Sequence, residues 1–188
     1  MVIFGAVTFL VQNLSHLRDK ITDKSIKIAD KVNGNYTFQK ADVIFKNAQE
    51  VNPPSSEEKK KMAEKLRKQA EESNQGYAMM PVEMTDQFFL LFATYQNGED
   101  KIGVNITNLS GKSNPTTYID EKVEFKQEKV QVKGVEMLLT EFGPSQWHEL
   151  KWVYENPDKK VKYAYTISGD INKVSKETLM KIAESYLE

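Results

Sequence analysis

The chain has 188 residues, about the length of one domain. Its 26 Lys and Arg residues balance 27 Asp and Glu residues, so the net charge of -1 gives no overall attraction to nucleic acid or to an anionic membrane. Cysteine is absent and there are only two histidines, which excludes disulfides and thiolate chemistry and argues against a multi-histidine metal site. From composition we therefore expect no metal, no cofactor and no nucleic-acid partner.

Residues 1–13 form an uncharged, mostly apolar segment. As a helix, residues 1–11 would extend only about 16 Å, against about 30 Å for the hydrocarbon core of a bilayer. We interpret this segment as the outer half of a membrane anchor that begins before Met1, because a charged stretch follows it. The alternative, a strand or helix of the protein core, stays open.

Residues 14–34 are predicted to be a juxtamembrane helical segment. Leu14, Leu17 and Ile21 share one face at helical spacing, among many charged residues. The remainder, residues 35–188, is predicted to be a single extracytoplasmic domain. Within it, Ser55 and Glu58 match a capping box and predict a helix from about residue 56 to residue 73.

From Gln87 onward the sequence has the pattern of β-strands. Short segments of alternating apolar residues are separated by turn signals such as Asn97-Gly98 and Asn156-Pro157. The chain then ends in a helix that begins after Ser175 and has one apolar face, formed by Leu179, Ile182, Ala183 and Tyr186. The predicted fold is α+β: a curved antiparallel meander of about six or seven strands, with the C-terminal helix packed on it and helices at the N-terminal side.

No set of side chains converges on a catalytic or metal-binding pattern, so we expect no enzymatic activity. His148 is adjacent to Glu149 in a predicted strand, which directs the two side chains to opposite faces. One aromatic set has two interpretations. It is the inner face of a sheet, which we favour, or it is a face that binds a ligand or a partner. Its members are Trp147, Trp152, Tyr154, Tyr163 and Tyr165.

The last part of the chain resembles a known family. The segment Val-Gln-Val-Lys-Gly-Val-Glu at 130–136 is followed by Leu150-Lys151-Trp152, a Tyr-rich strand at 161–167 and a closing helix that contains Ile-Ala-Glu-Ser at 182–185. This order is similar to a domain of unknown function of Gram-positive bacteria, over about residues 85–187. The resemblance implies an extracytoplasmic domain, C-terminal to a single transmembrane helix, in anti-sigma-factor-like proteins. It implies no catalytic residues.

These observations lead us to expect a non-enzymatic sensor or interaction domain of a membrane-anchored protein of the cell envelope. Its partner would be another envelope protein, and its regulatory role would be of the anti-sigma-factor type. The alternative is a carrier for a lipid or another apolar ligand held between sheet and helix. A carrier would have an unfilled apolar cavity of about 300 Å³ or more.

Overall fold

A computed structural model describes residues 8–24, 26–33, 35–73, 76–79, 83–109, 124–143, 145–156 and 161–187. Four helices are present in this part: α1 (Leu14–Lys20), α2 (Ala48–Val51), α3 (Ser56–Glu72) and α4 (Lys176–Leu187). The strands are β1 (Thr8–Val11), β2 (Lys31–Val32), β3 (Tyr36–Asn47), β4 (Met84–Asn97), β5 (Asp100–Asn108), β6 (Phe125–Val132), β7 (Val135–Phe142), β8 (Trp147–Asn156) and β9 (Val161–Asp170).

The nine strands form one antiparallel sheet with the order β1-β3-β4-β5-β9-β8-β7-β6, and β2 pairs with β3. The predicted α+β class and the C-terminal helix on the sheet are therefore confirmed. The predicted strand count of six or seven was too low. The additional strands lie before residue 48, where β3 alone contributes 12 residues. Ala41, Val43 and Phe45 alternate toward the core along this strand, which is the period of a half-buried strand.

Two tight turns fix the register of the sheet. The hairpin that Asn97-Gly98 predicts is present between β4 and β5, but Asn97 is the last residue of β4 and Gly98, with a φ of 59°, is the first of the two turn residues, the position that a type II′ turn gives to glycine. Lys133 and Gly134 join β6 to β7 with φ values of 47° and 80°. Positive φ at both central residues is the geometry of a hairpin turn whose twist matches that of the flanking strands.

The inner face of the sheet carries the core. Leu91, Ile106, Tyr165 and Trp152 align across four neighbouring strands on this face, and all are buried. Helix α1, helix α4 and the irregular segment between α1 and β2 supply further buried apolar side chains. We call that segment, residues 21–24 and 26–29, the strap. The opposite, outer face contains more exposed side chains, including Phe92 and Val153.

Helix α3 forms where the sequence predicts it, although none of its side chains is buried. The predicted capping box is present: the Glu58 carboxylate accepts from the Ser55 backbone N–H at 2.7 Å, and the Glu58 N–H donates to the Ser55 hydroxyl at 3.2 Å. Nevertheless, α3 has no buried residue. Its cap and its charged side chains stabilise the helix locally.

The N-terminal segment is described only from Thr8. Residues 8–11 form β1, an edge strand that pairs with β3, and Val11 is buried in the core. Residues 1–7 lie outside the described part. In residues 14–34 the helix spans Leu14–Lys20 and is followed by the strap and β2. None of the helices in the described residues is both long enough and apolar enough to cross a bilayer.

Candidate functional site

The five aromatic residues singled out in the sequence lie on two different faces. Trp152, Tyr163 and Tyr165 lie on the inner face and are 5%, 2% and 4% exposed. Tyr154 pairs with Tyr163 at the margin of the same face and is 36% exposed. Trp147 lies on the outer face and is 39% exposed. The set is therefore not one continuous surface, because Trp147 and Trp152 are an odd number of residues apart on one strand.

A stack of aromatic rings fills the space between the sheet and α4. The rings of Trp152 and Tyr165 are nearly parallel, with their centroids 5.0 Å apart. Tyr186 of α4 lies 5.9 Å from the Tyr165 ring and 6.4 Å from the Trp152 ring. The predicted apolar face of the helix is thus buried on the predicted face of the sheet. These side chains belong to the core.

Two tyrosine hydroxyl groups hold the strap against this core by hydrogen bonds. The Tyr163 hydroxyl donates to Asp23 Oδ2 at 2.6 Å, and the Tyr95 hydroxyl donates to the carbonyl of Ala29 at 3.0 Å. Burial raises the pKa of Tyr95 to about 12. Burial and the bond to Asp23 raise the pKa of Tyr163 well above its usual range. Both phenols therefore keep their protons and remain donors at physiological pH.

A groove of about 410 Å³ lies beside the strap, next to α4. Its walls contain the apolar side chains of Ile21, Ile26 and Ile28, and Ser185 contributes from α4. Three cationic residues, Arg18, Lys24 and Lys27, and the single acid Asp23 complete the charged part of its lining. Apart from Ser185, its lining comes from residues 18–29, which the sequence analysis assigned to a helical segment, whereas the helix ends at Lys20 and the strap follows it.

The outer face carries a separate aromatic cluster at its β6 side. Phe125, Phe142 and Trp147 pair across β6, β7 and β8, so their side chains share one face. Phe125 is 43% exposed and its ring lies 6.3 Å from that of Phe142. We call these three residues the outer cluster. A group of exposed aromatic residues is typical of a contact surface, whereas a single exposed apolar residue is common on any protein.

His148 is buried on the inner face, with 2% of its surface exposed. The ring makes a hydrogen bond to the backbone of Val174, whereas Nε2 has no hydrogen-bond partner among the described residues. Burial lowers the pKa of His148 despite the nearby Glu141 and Asp170 carboxylates. Across the described ranges, no group of three or more His, Asp or Glu side chains is placed to hold a metal ion. The histidine is therefore a core residue without an acid partner in hydrogen-bond contact.

The family model described as a domain of unknown function (DUF4367) matches residues 73–185. This range includes β4 to β9 and most of α4, and therefore the outer cluster and the ring stack. No curated protein and no solved structure matches the chain significantly.

Proposed function

The chain belongs to the DUF4367 family, and from that premise we propose that it is a non-enzymatic sensor or interaction domain of the bacterial cell envelope. We place it outside the cytoplasmic membrane of a Gram-positive bacterium, C-terminal to a membrane anchor. In this proposal it binds another envelope protein and takes part in regulation of the anti-sigma-factor type. The resemblance of residues 85–187 supports the location and the regulatory role.

The observation that carries the interaction role is the outer cluster. Most of the aromatic side chains named above are buried in the core, whereas Phe125 and Trp147 are about two-fifths exposed on the face opposite α4. Trp is enriched in the residues that contribute most to protein–protein binding energy. Strands β6, β7 and β8 hold these rings in fixed positions, which reduces the entropy lost on binding.

A photo-crosslinking experiment tests this role in the host cell. A benzophenone amino acid replaces Trp147 in the full-length protein, and in a matched control it replaces Val153, which is 56% exposed on the same face. We expect one defined protein adduct from position 147 and none from position 153. Adding Phe125→Ala should remove the adduct. Equal adducts from both positions, or an adduct that survives Phe125→Ala, would contradict the proposed partner face.

The proposed location has its own test. Protease added to intact protoplasts should digest the domain of the full-length protein while a cytoplasmic marker stays whole. Protection of the domain until the membrane is broken would contradict the extracytoplasmic location. This result is independent of the crosslinking experiment.

A carrier of an apolar ligand is the second candidate function. The space between the sheet and α4, where a carrier would be expected to hold its ligand, is occupied by the Trp152, Tyr165 and Tyr186 rings. The groove beside the strap is the feature that favours the carrier. Its volume of about 410 Å³ lies within the range of roughly 300–1,000 Å³ that is usual for ligand sites.

A further inference from the structure

Strand β6 forms one edge of the sheet. In the described part of the chain it pairs with β7 on one side and with no strand on the other. It has eight residues, and all those from Phe125 to Lys129 are exposed. The strand at the other edge, β1, has four residues and no charged side chain. A long, exposed edge strand offers unpaired backbone groups to the strand of another chain.

The hairpin geometry shows which backbone groups of β6 face outward. A two-residue turn separates Val132 from Val135, so these two residues form a hydrogen-bonded pair. Hydrogen-bonded and non-hydrogen-bonded pairs then alternate along the two strands. The bond of 3.3 Å from the Gly143 N–H to the Glu124 carbonyl agrees with this alternation. The N–H and C=O groups that point away from β7 therefore belong to Phe125, Gln127, Lys129 and Gln131.

The side chains of this edge are complementary to those of a second copy in one antiparallel register. A two-fold axis at Gln127 places Lys126 of each copy opposite Glu128 of the other, on the inner face. Opposite charges at such cross-strand positions are favourable. The same register forms three hydrogen-bonded pairs, with about six backbone hydrogen bonds. An axis at Lys129 would place this residue opposite itself, and an axis at Phe125 would pair only the first residue of the strand.

The two charged groups that this register brings together are accessible. Lys126 is exposed and makes no ion pair with any of the described residues. Glu128 binds Lys176 of α4 through Oε1, yet its side chain remains 53% exposed. A carboxylate has a second oxygen that can accept from another ammonium group. Helix α4 therefore leaves this part of the edge open to a second chain.

From these observations we propose that the protein forms a two-fold symmetric dimer through β6, in which the two sheets join edge to edge into one continuous sheet. Such a contact buries less surface than a standard interface of about 1,600 Å², so the dimer should dissociate reversibly. Trp147 lies two strands away from this edge and stays accessible in the dimer. The proposal therefore does not rest on the partner face.

Disulfide formation tests the register, because the full chain contains no cysteine of its own. In the variant Gln127→Cys the two Cα atoms would be about 5.5 Å apart across the axis, which is within the range of disulfides. Lys129→Cys is the control on the same exposed strand, since its two Cα atoms would be about 13 Å apart along the strands. We expect mild oxidation to link Gln127→Cys into a dimer and to leave Lys129→Cys largely unlinked.

Sedimentation velocity over a range of protein concentrations tests the charge pairing. Lys126→Glu and Glu128→Lys should each weaken dimerisation at least tenfold, because each sets like charges opposite one another at two positions. The double variant Lys126→Glu/Glu128→Lys exchanges the two charges and should restore the dimer.

A proline substitution tests the backbone pairing. Gln127→Pro removes an outward N–H without removing a bond to β7, so it should prevent dimerisation. Gln127→Ala should not, although it loses the same side-chain bond to Thr140. Circular dichroism checks the fold of each variant. A chain that is monomeric at every concentration, equal linking of the two cysteine variants, or a double charge variant that stays monomeric would overturn the proposal, whatever the crosslinking at Trp147 shows.

Discussion

Replacing Trp152 by Ala removes the centre of the ring stack. A tryptophan side chain buries roughly 150–250 Å², which at about 25 cal/mol per Å² corresponds to about 4–6 kcal/mol. Trp152 is only 5% exposed, so nearly all of this area applies. Compactness of the unfolded chain lowers such values by roughly 10–40%. We therefore expect Trp152→Ala to lower the free energy of unfolding by about 3–5 kcal/mol, in the range known for large-to-small core substitutions.

Urea unfolding followed by far-ultraviolet circular dichroism measures this loss without relying on tryptophan fluorescence. Trp147→Ala is the matched control, because it removes the same side chain from a position that is 39% exposed, and it should cost less than half as much. Trp152→Phe keeps one ring against Tyr165 and should fall between wild type and Trp152→Ala. A loss below about 1 kcal/mol for Trp152→Ala would refute the assignment of Trp152 to the core.

Three further predictions concern other parts of the fold. Deleting residues 175–188 uncovers the ring stack, so cooperative unfolding should disappear and an apolar dye should bind; a normal transition would show that the sheet does not need α4. Burial lowers the pKa of His148 below its ordinary 6.5, so the unfolded chain takes up this proton first. Stability should therefore be complete above about pH 6.5 and decrease as the pH falls toward the folded pKa, and His148→Gln should flatten this slope. Ser55→Ala should reduce the helical signal of α3, whose cap contributes about 1 kcal/mol, yet hardly shift the urea midpoint, because α3 has no buried residue; a large shift would indicate that α3 is packed.

The sequence predicts those elements whose signal is local. The hairpin at Gly98, the capping box at Ser55 and the apolar face of α4 each depend on residues within a few positions of one another. The full length of strand β3 was not predicted, although Ala41, Val43 and Phe45 alternate, because the charged residues Lys40, which precedes them, and Asp42, which lies among them, resemble a surface segment. They lie on the outer face, which the helices do not cover, and that arrangement depends on the tertiary structure.

The candidate sites were harder to predict, because they depend on where distant segments meet. Strand periodicity alone separates Trp147 from Trp152, and applying it would have divided the aromatic set in two. The hydrogen bond from Tyr163 to Asp23 joins residues 140 positions apart, and no local sequence pattern predicts it. The lining of the groove is local in sequence except for Ser185, but residues 21–29 were predicted to continue a helix, so the groove could not be recognised before the strap was placed.

The strand order also has a consequence for how the chain folds. The pairings β4–β5, β6–β7, β7–β8 and β8–β9 join strands that follow closely on one another in the chain, and among the described residues β5 with β9 is the strand pairing that joins the group β1 to β5 to the group β6 to β9. Along this seam Ile102 pairs with Gly169, 67 residues away. Such a pairing is slow, because a long loop must close before its contacts form. We therefore expect this seam, like the pairing of Thr37 with Gln96 59 residues away, to form after the hairpins, so that the two groups of strands share one core only late in folding.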